Sequence, residues 1–385
     1  MDNIKIKSLG PIKEADINFG DLTLFVGPQA SGKSILLQLI KLLNDKENIE
    51  ITLGQYGFIW GNNEQDNLDR FFGEGMSGIW TNETKIESDG NPFPIDFLLP
   101  EKLKALTDFR DRVFYVPAQR VICLNYGWPR FFLDFEDSVP FVLREFSETL
   151  RQYLDSGLKD DESSIFPQTD FLKSQLNDSF DQSIFHGGKV IIEKTAKKRL
   201  KLNINDVSLP FMTWSAGQKE FMPLLLSFYW LCPPNKFGRR KGIRYVIIEE
   251  PEMGLHPQAV KSVILQMMDL LTRGYKVIVS THSPVLLEFA WAYNFLKQSK
   301  ANSKAFDQLF DLKQTDQTKS IFEGELKDKI INTYYFERCN NEVSVKDISS
   351  LDAGSEDISI SEWGGLSSFS AKANDIVSTI AANNG

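Results

Sequence analysis

The sequence predicts an α/β fold with a mixed central sheet, flanking helices, a small N-terminal antiparallel sheet and a short helical lobe. Three observations predict it. The apolar run Leu22 to Val26 leads through Gly27-Pro28-Gln29-Ala30-Ser31-Gly32-Lys33-Ser34 into a helical run, Ile35 to Leu43. The apolar run Tyr245 to Ile248 ends on Glu249-Glu250. A further buried run, residues 275–279, ends on Ser280-Thr281-His282. Open α/β sheets present their chemistry at the C-terminal ends of such strands.

The octet from Gly27 to Ser34 has the form G-x-x-x-x-G-K-S, set between a strand and a helix as a phosphate-binding loop requires. Gly27 and Gly32 let the backbone curl so that successive N–H groups point inward. Pro28, Gln29, Ala30 and Ser31 complete the cradle. The helix that follows adds roughly +0.5 charge at its N-terminus. Lys33 would reach the β- and γ-phosphates of a bound ATP, and the Ser34 hydroxyl would ligate Mg²⁺. A glycine turn that matches by chance is the competing reading.

Composition bounds the rest. The chain has 385 residues, 42% of them hydrophobic and 25% charged, which is an ordinary globular balance. No apolar run reaches membrane-spanning length, and the N-terminus lacks a signal-peptide stretch, so no membrane partner and a cytoplasmic location are expected. Cys123, Cys232 and Cys339 share no metal-type spacing and fit reduced thiols. A net charge of −9 argues against a protein that coats nucleic acid with its whole surface.

Taken in order, residues 3–9 alternate as a strand, and residues 15–19 form a second strand leading into the first strong motif. Residues 51–100 are rich in glycine and aromatics, with a short helix near 64–73 and a strand near 84–88. Arg112 to Val116 reads as a strand stopped by Pro117. Gln119 follows at the strand end, placed to reach Mg²⁺ or an attacking water; a plain polar strand-end residue is the alternative. Arg120 suits a phosphate or a carboxylate, and the sequence does not choose.

Two helices are expected at 140–156 and 168–182, with a polar loop between them, and a hairpin at 189–194 and 199–204. That hairpin collects Lys189, Lys194, Lys197, Lys198, Arg199 and Lys201 against Glu193. Lys236, Arg239, Arg240, Lys241 and Arg244 form a second basic cluster. The segments 189–201 and 236–244 could meet DNA or an acidic protein; solvated turns are the alternative.

Ser215 stands where a helix N-cap belongs, before a long apolar helix. Ser215, Ala216, Gly217 and Gln218 therefore put a hydroxyl and free amides at a helix N-terminus, a second anion site. One nucleotide rarely needs two such sites from one chain. The economical explanation is that this one serves a nucleotide held by another copy. At the Tyr245 strand, Glu249 would hold Mg²⁺ with Ser34, and Glu250 would polarise the attacking water. His282, at its own strand end, could hydrogen-bond a γ-phosphate. Residues 257–272 and 285–312 read as helices, and 333–338 and 342–348 as a hairpin. The segment from Glu342 carries seven acidic and two basic residues, with a helix near 371–382.

The order phosphate loop, Gln119, SAGQK, IIEEPE, GLHP, STHSP resembles the ABC-type ATPase heads of the SMC, RecF and OLD-like group. It is closer still to bacterial AAA-type ATPases with an EEPE-x-x-LHP motif found in anti-phage defence. The resemblance covers residues 3 to 295. It implies a Mg-dependent ATPase with Gly27 to Ser34 as Walker A loop, Gln119 as Q-loop residue and Ser215 to Lys219 as the signature completing a partner's site. Glu249 is then the metal-binding acid, Glu250 the catalytic carboxylate and His282 the switch histidine, while Gly254 to Pro257 touches the opposing subunit. Departures are Glu249 for the usual aspartate, Ala216 for the usual glycine, and no coiled-coil arms. The resemblance further implies at least a dimer. It also implies a separate nuclease or toxin as effector, as in PARIS-type two-component defence. A RecF-like DNA-maintenance ATPase and an ATP-locked scaffold are the alternatives. The expected map is an ATPase core at 1–120 and 205–300, an inserted lobe at 121–204 and a C-terminal extension at 301–385.

Overall fold

The computed structural model describes residues 1–100, 111–156, 164–168, 171–194, 197–234 and 238–383. The chain divides into two compact units. One comprises Met1–Lys33, Trp80–Phe93 and Val279–Gly385, the other Ser34–Ile79 and Pro94–Ile278.

In the first unit, strands follow the order Asn91–Pro92, Trp80–Ser88, Asn3–Leu9, Ile12–Asn18, Glu342–Asp347, Ile331–Cys339, Leu22–Val26. Asn3–Leu9 alternates because only one face is covered: Ile4, Ile6 and Leu9 are buried while Lys5 and Lys7 are exposed. Leu22–Val26 is buried at every position, which explains its continuous apolar run. The expected hairpin is Ile331–Cys339 and Glu342–Asp347. Its first strand runs parallel to Leu22–Val26, with Ile331 opposite Leu22 and Tyr335 opposite Val26. Thr333 and Tyr334 point to opposite faces and both are buried. Asp21 fixes the entry, taking Lys329 Nζ at 3.1 Å and the Ile330 amide at 2.9 Å. The run expected at 285–312 is two helices, Pro284–Gln298 and Ser303–Leu309. The tail helix spans Ser368–Asn383.

In the second unit, Val113–Val116 pairs in parallel with Tyr245–Glu249, Tyr245 opposite Val113 and Ile248 opposite Val116. The helices are Glu64–Phe72, Phe141–Ser156, Ser174–Phe180, Ala216–Leu231 and Pro257–Thr272, together with most of Lys33–Gln55. A four-stranded antiparallel sheet runs in the order Val207–Pro210, Arg199–Ile204, Lys189–Glu193, Ser164–Phe166. The loop expected near 158–170 thus contains a strand. Residues 157–163 and 169–170 lie outside the described residues. Strand Lys276–Thr281 spans the boundary between the units.

The helix Lys33–Gln55 is pinned by a buried charge cluster. Lys41 Nζ lies 3.0 Å from Asp45, 3.1 Å from Asp111 and 3.0 Å from Glu145, and donates to the Val113 carbonyl at 3.0 Å. Asp45, where the helix departs from helical geometry, accepts from the Arg112 and Val113 amides at 2.8 and 3.0 Å. One ammonium cannot neutralise three carboxyls. Burial, opposed by Lys41 and reinforced by Asp111 and Asp45, pushes Glu145 up to about 8. Folding therefore retains a proton that the unfolded chain has lost above the ordinary glutamate range. Glu145 contributes its full stabilisation below that range and loses it as pH rises through about 8. Thermal melting of the wild type should fall between pH 6 and 9 by more than that of Glu145→Gln. Parallel curves would remove Glu145 as the cause.

Candidate nucleotide site

The loop Gly27 to Lys33 is shaped by contacts that exclude side chains. Gly27 has φ +145, and a Cβ there would lie 2.8 Å from the Phe336 carbonyl oxygen. Gly32 has φ +88, and its Cβ would meet Ile12 Cγ1 at 2.9 Å. Only glycine satisfies either position. Ala30 is also left-handed, with φ +56. The Lys33 ammonium donates to the Gly27 and Pro28 carbonyls at 2.9 and 2.8 Å and to Ser31 Oγ at 3.3 Å. Arg338, unremarked in the sequence, holds the loop from the hairpin, donating to the Ala30 carbonyl at 3.2 Å. Pro28, Gln29 and Ala30 are exposed, and Ser31 is buried. His282 belongs to this same unit and follows Lys276–Thr281; it is half-buried, and Ser283 caps the next helix through the Val285 amide at 3.2 Å.

The second unit holds Ser34, Gln119, Ser215 to Gln218, Glu249 and Glu250. Glu249 is buried at the end of its strand. Its Oε2 accepts from the Ala118 amide at 3.1 Å, and among the described residues its Oε1 has no hydrogen-bond partner. Burial pushes its pKa up, against the Ser34 hydroxyl, the Ala118 amide and the Tyr115 hydroxyl, all of which favour the ionised form. An orphaned carboxylate oxygen in a low-dielectric site asks for a cation. A serine hydroxyl beside a carboxylate is the hard oxygen set that Mg²⁺ takes when phosphates and water fill its other positions. The residues fit the metal. Among the described residues there is no cluster of three or more His, Cys, Asp or Glu of the kind that forms an all-protein cage.

Glu250 is half-buried and left-handed, with φ +43. Gln119 is exposed and precedes a short 3-10 turn, Arg120–Cys123. Arg120 is buried, and among the described residues its guanidinium donates to main-chain carbonyls rather than to a carboxylate.

Ser215 caps Ala216–Leu231 as expected. Its Oγ accepts from the Gln218 amide at 3.3 Å while Gln218 Oε1 accepts from the Ser215 amide at 3.2 Å, a reciprocal capping box. The Gln218 side chain also donates to the Ile184 carbonyl at 3.1 Å, so its amide group serves the cap and the neighbouring segment. Ser215 and Ala216 are exposed. Gly217 packs so closely on Gly254 that a Cβ would stand 2.9 Å from the Gly254 carbonyl. His256 caps Pro257–Thr272 through Nδ1, which accepts from the Gln258 amide at 3.3 Å.

Much of the basic charge is internally matched. Glu193 takes both Arg199 and Lys201, and Lys198 pairs with Asp155 at 2.8 Å. Arg239 donates to the Gly274 carbonyl, and Arg240 to that of Trp230, whose ring it also covers. Lys236 lies outside the described residues.

The family described as "AAA domain, putative AbiEii toxin, Type IV TA system" matches residues 95–288, half of the chain. The chain belongs to this AAA-domain family. The match takes in Gln119, Ser215 to Gln218, Glu249, Glu250 and His282, whereas Gly27 to Ser34 lie before it. The chain is also similar to the Old nuclease of Escherichia phage P2, 24% identical over 147 residues. That stretch is 38% of this chain and 24% of the nuclease, so the chain spans about a quarter of that curated relative. Similar solved structures include the SMC head domain from Thermotoga maritima, at 13% identity, covering 90% of this chain and 98% of that one, with a TM-score of 0.38. An SMC head bound to the C-winged helix domain of ScpA has 11% identity, coverages of 90% and 96%, and a TM-score of 0.42. This AAA-domain chain is an α/β protein, and nucleotide binding goes with AAA domains. No helix among the described residues is long and apolar enough to cross a membrane.

Proposed function

We propose that the protein is a Mg-dependent ATPase whose copies close around ATP and thereby control a separate effector. The observation that carries the reading is the orphaned Oε1 of Glu249 beside the Ser34 hydroxyl. Ser34 and Glu249 would hold Mg²⁺, which when bound supplies positive charge to the β- and γ-phosphate oxygens. The Gly27 to Ser31 amides and Lys33 bind the triphosphate, Glu250 takes a proton from the attacking water, and Gln119 and His282 orient that water and the γ-phosphate. Ser215 and Ala216 are exposed, and would meet the γ-phosphate of a nucleotide held by another copy.

An anti-phage defence role, with a nuclease or toxin as effector in the manner of PARIS, is the biological reading. It is supported by the toxin-system description of the family and by the likeness to a phage Old nuclease. The internal pairing of the basic hairpin weighs against a DNA-coating alternative.

Phosphate release tests the reading. The wild type should release phosphate from ATP with Mg²⁺ and stop in EDTA. Ser34→Ala should need about tenfold more Mg²⁺ for half-maximal rate, the range seen when a metal site loses one supporting group. Equal rates with and without Mg²⁺ would end the proposal.

A further inference from the structure

Arg120 is fully buried, one peptide link after Gln119. Its Nε donates to the Glu220 carbonyl at 3.1 Å. Its Nη1 donates to the carbonyls of Glu249 and Glu250 at 3.1 and 3.2 Å, and Nη2 reaches the Pro251 carbonyl at 3.5 Å. All four acceptors are main-chain oxygens, so the guanidinium holds backbone. Three of them are consecutive, and converge on one side chain across a turn in which Glu250 is left-handed. That conformation is unfavourable for a residue with a Cβ and persists only when its surroundings enforce it. A rigid planar fork with five donors can enforce it; an ammonium cannot make the same set of bonds.

The fourth acceptor comes from elsewhere. Glu220 lies early in the helix that Ser215 caps, and Gly217 in its first turn abuts the Gly254 carbonyl. One side chain therefore joins the segment carrying Gln119, the helix carrying Ser215 and the turn carrying Glu250. Burial works against its charge, and the carboxylates of Glu220, Glu252, Glu250 and Glu249 work for it.

We propose that Arg120 is a positioning residue for hydrolysis: it holds the turn that aims the Glu250 carboxylate and ties that turn to Gln119 and to the Ser215 helix. The inference rests on the reading of Glu250 as the base. With the fork removed, the Glu250 backbone relaxes and its carboxylate leaves the line of attack. Triphosphate binding by Gly27 to Lys33 does not need that turn. A displacement of about 1 Å at a reacting group costs about 10²-fold in rate.

The test is a rate cycle on the full chain: wild type, Arg120→Lys, Glu250→Gln and the double variant, with kcat, KM for ATP and melting temperature for each. Arg120→Gln is the second variant if Arg120→Lys does not fold. The expected result is a kcat lowered by about 10²-fold in Arg120→Lys with KM within about threefold. In that background, Glu250→Gln should cost much less than it does alone, because the carboxylate is already misplaced. Multiplicative losses, or a KM that rises while kcat holds, overturn the inference and leave Glu250 as the base. Failure of both Arg120 variants to fold also overturns it, since the residue would then serve the fold alone. A Glu250→Gln enzyme with wild-type turnover overturns both the base assignment and this inference.

Discussion

Glu250→Gln is expected to lower ATP turnover by about 10²–10⁴-fold, the usual contribution of a positioned general base, and to leave ATP affinity within about threefold of wild type. The carboxamide has nearly the same shape, so the left-handed turn at Glu250 and the carbonyls gathered by Arg120 should stay in place. What disappears is the ability to accept a proton from water. Glu249→Gln should behave differently. Its carboxyl already takes the Ala118 amide and stands beside the Ser34 hydroxyl, so neutralising it would remove the proposed metal ligand. The Mg²⁺ requirement should then rise along with the loss of rate. Steady-state kinetics across Mg²⁺ concentrations separate the two. Matching profiles for both variants would collapse the division of labour between these neighbours.

Lys33→Ala should weaken ATP binding itself, by about 10²–10⁴-fold in Kd. The figure follows from losing two charge-assisted hydrogen bonds to phosphate oxygens, each about 1.5–3 kcal/mol. The ammonium is already placed for the task, held against the Gly27 and Pro28 carbonyls and Ser31 Oγ. Binding to a fluorescent ATP analogue measures the change, with circular dichroism as the control for folding. Affinity within threefold of wild type would contradict the assignment of the loop.

The strand, glycine loop and helix around Lys33 could be read from the sequence because each residue type there answers a local demand. Gly27 and Gly32 sit where the chain turns left-handed against Phe336 and Ile12, and a glycine announces such a place in one letter. The Ser215 cap was legible for the same reason: hydroxyl, amide and helix lie within four residues. Arg120 was not legible. Its partners are carbonyls of residues 220 and 249 to 251, and a carbonyl belongs to every residue type, so no letter marks it. The strands Ile331–Cys339 and Glu342–Asp347 read as a hairpin in the sequence, and the sheet they join does not show there. Alternation reports strand character and is silent about a parallel neighbour some 300 residues away, here Leu22–Val26. Lys41 reads as an ordinary helical lysine, and only the fold brings Asp111 and Glu145 to it. The basic hairpin shows the converse. Its charge drew attention as an interaction surface, while Glu193 and Asp155 answer half of it within the chain.

The central claim is that each chain carries half of two composite nucleotide pockets, with the exposed Ser215 helix terminus closing a pocket on another copy. The most direct measurement is the molar mass of Glu250→Gln by light scattering, with and without Mg-ATP. The account predicts at least a doubling on adding Mg-ATP, and no increase when Ser215→Arg is added to the same variant. An increase that survives Ser215→Arg, or a mass indifferent to nucleotide, would contradict it.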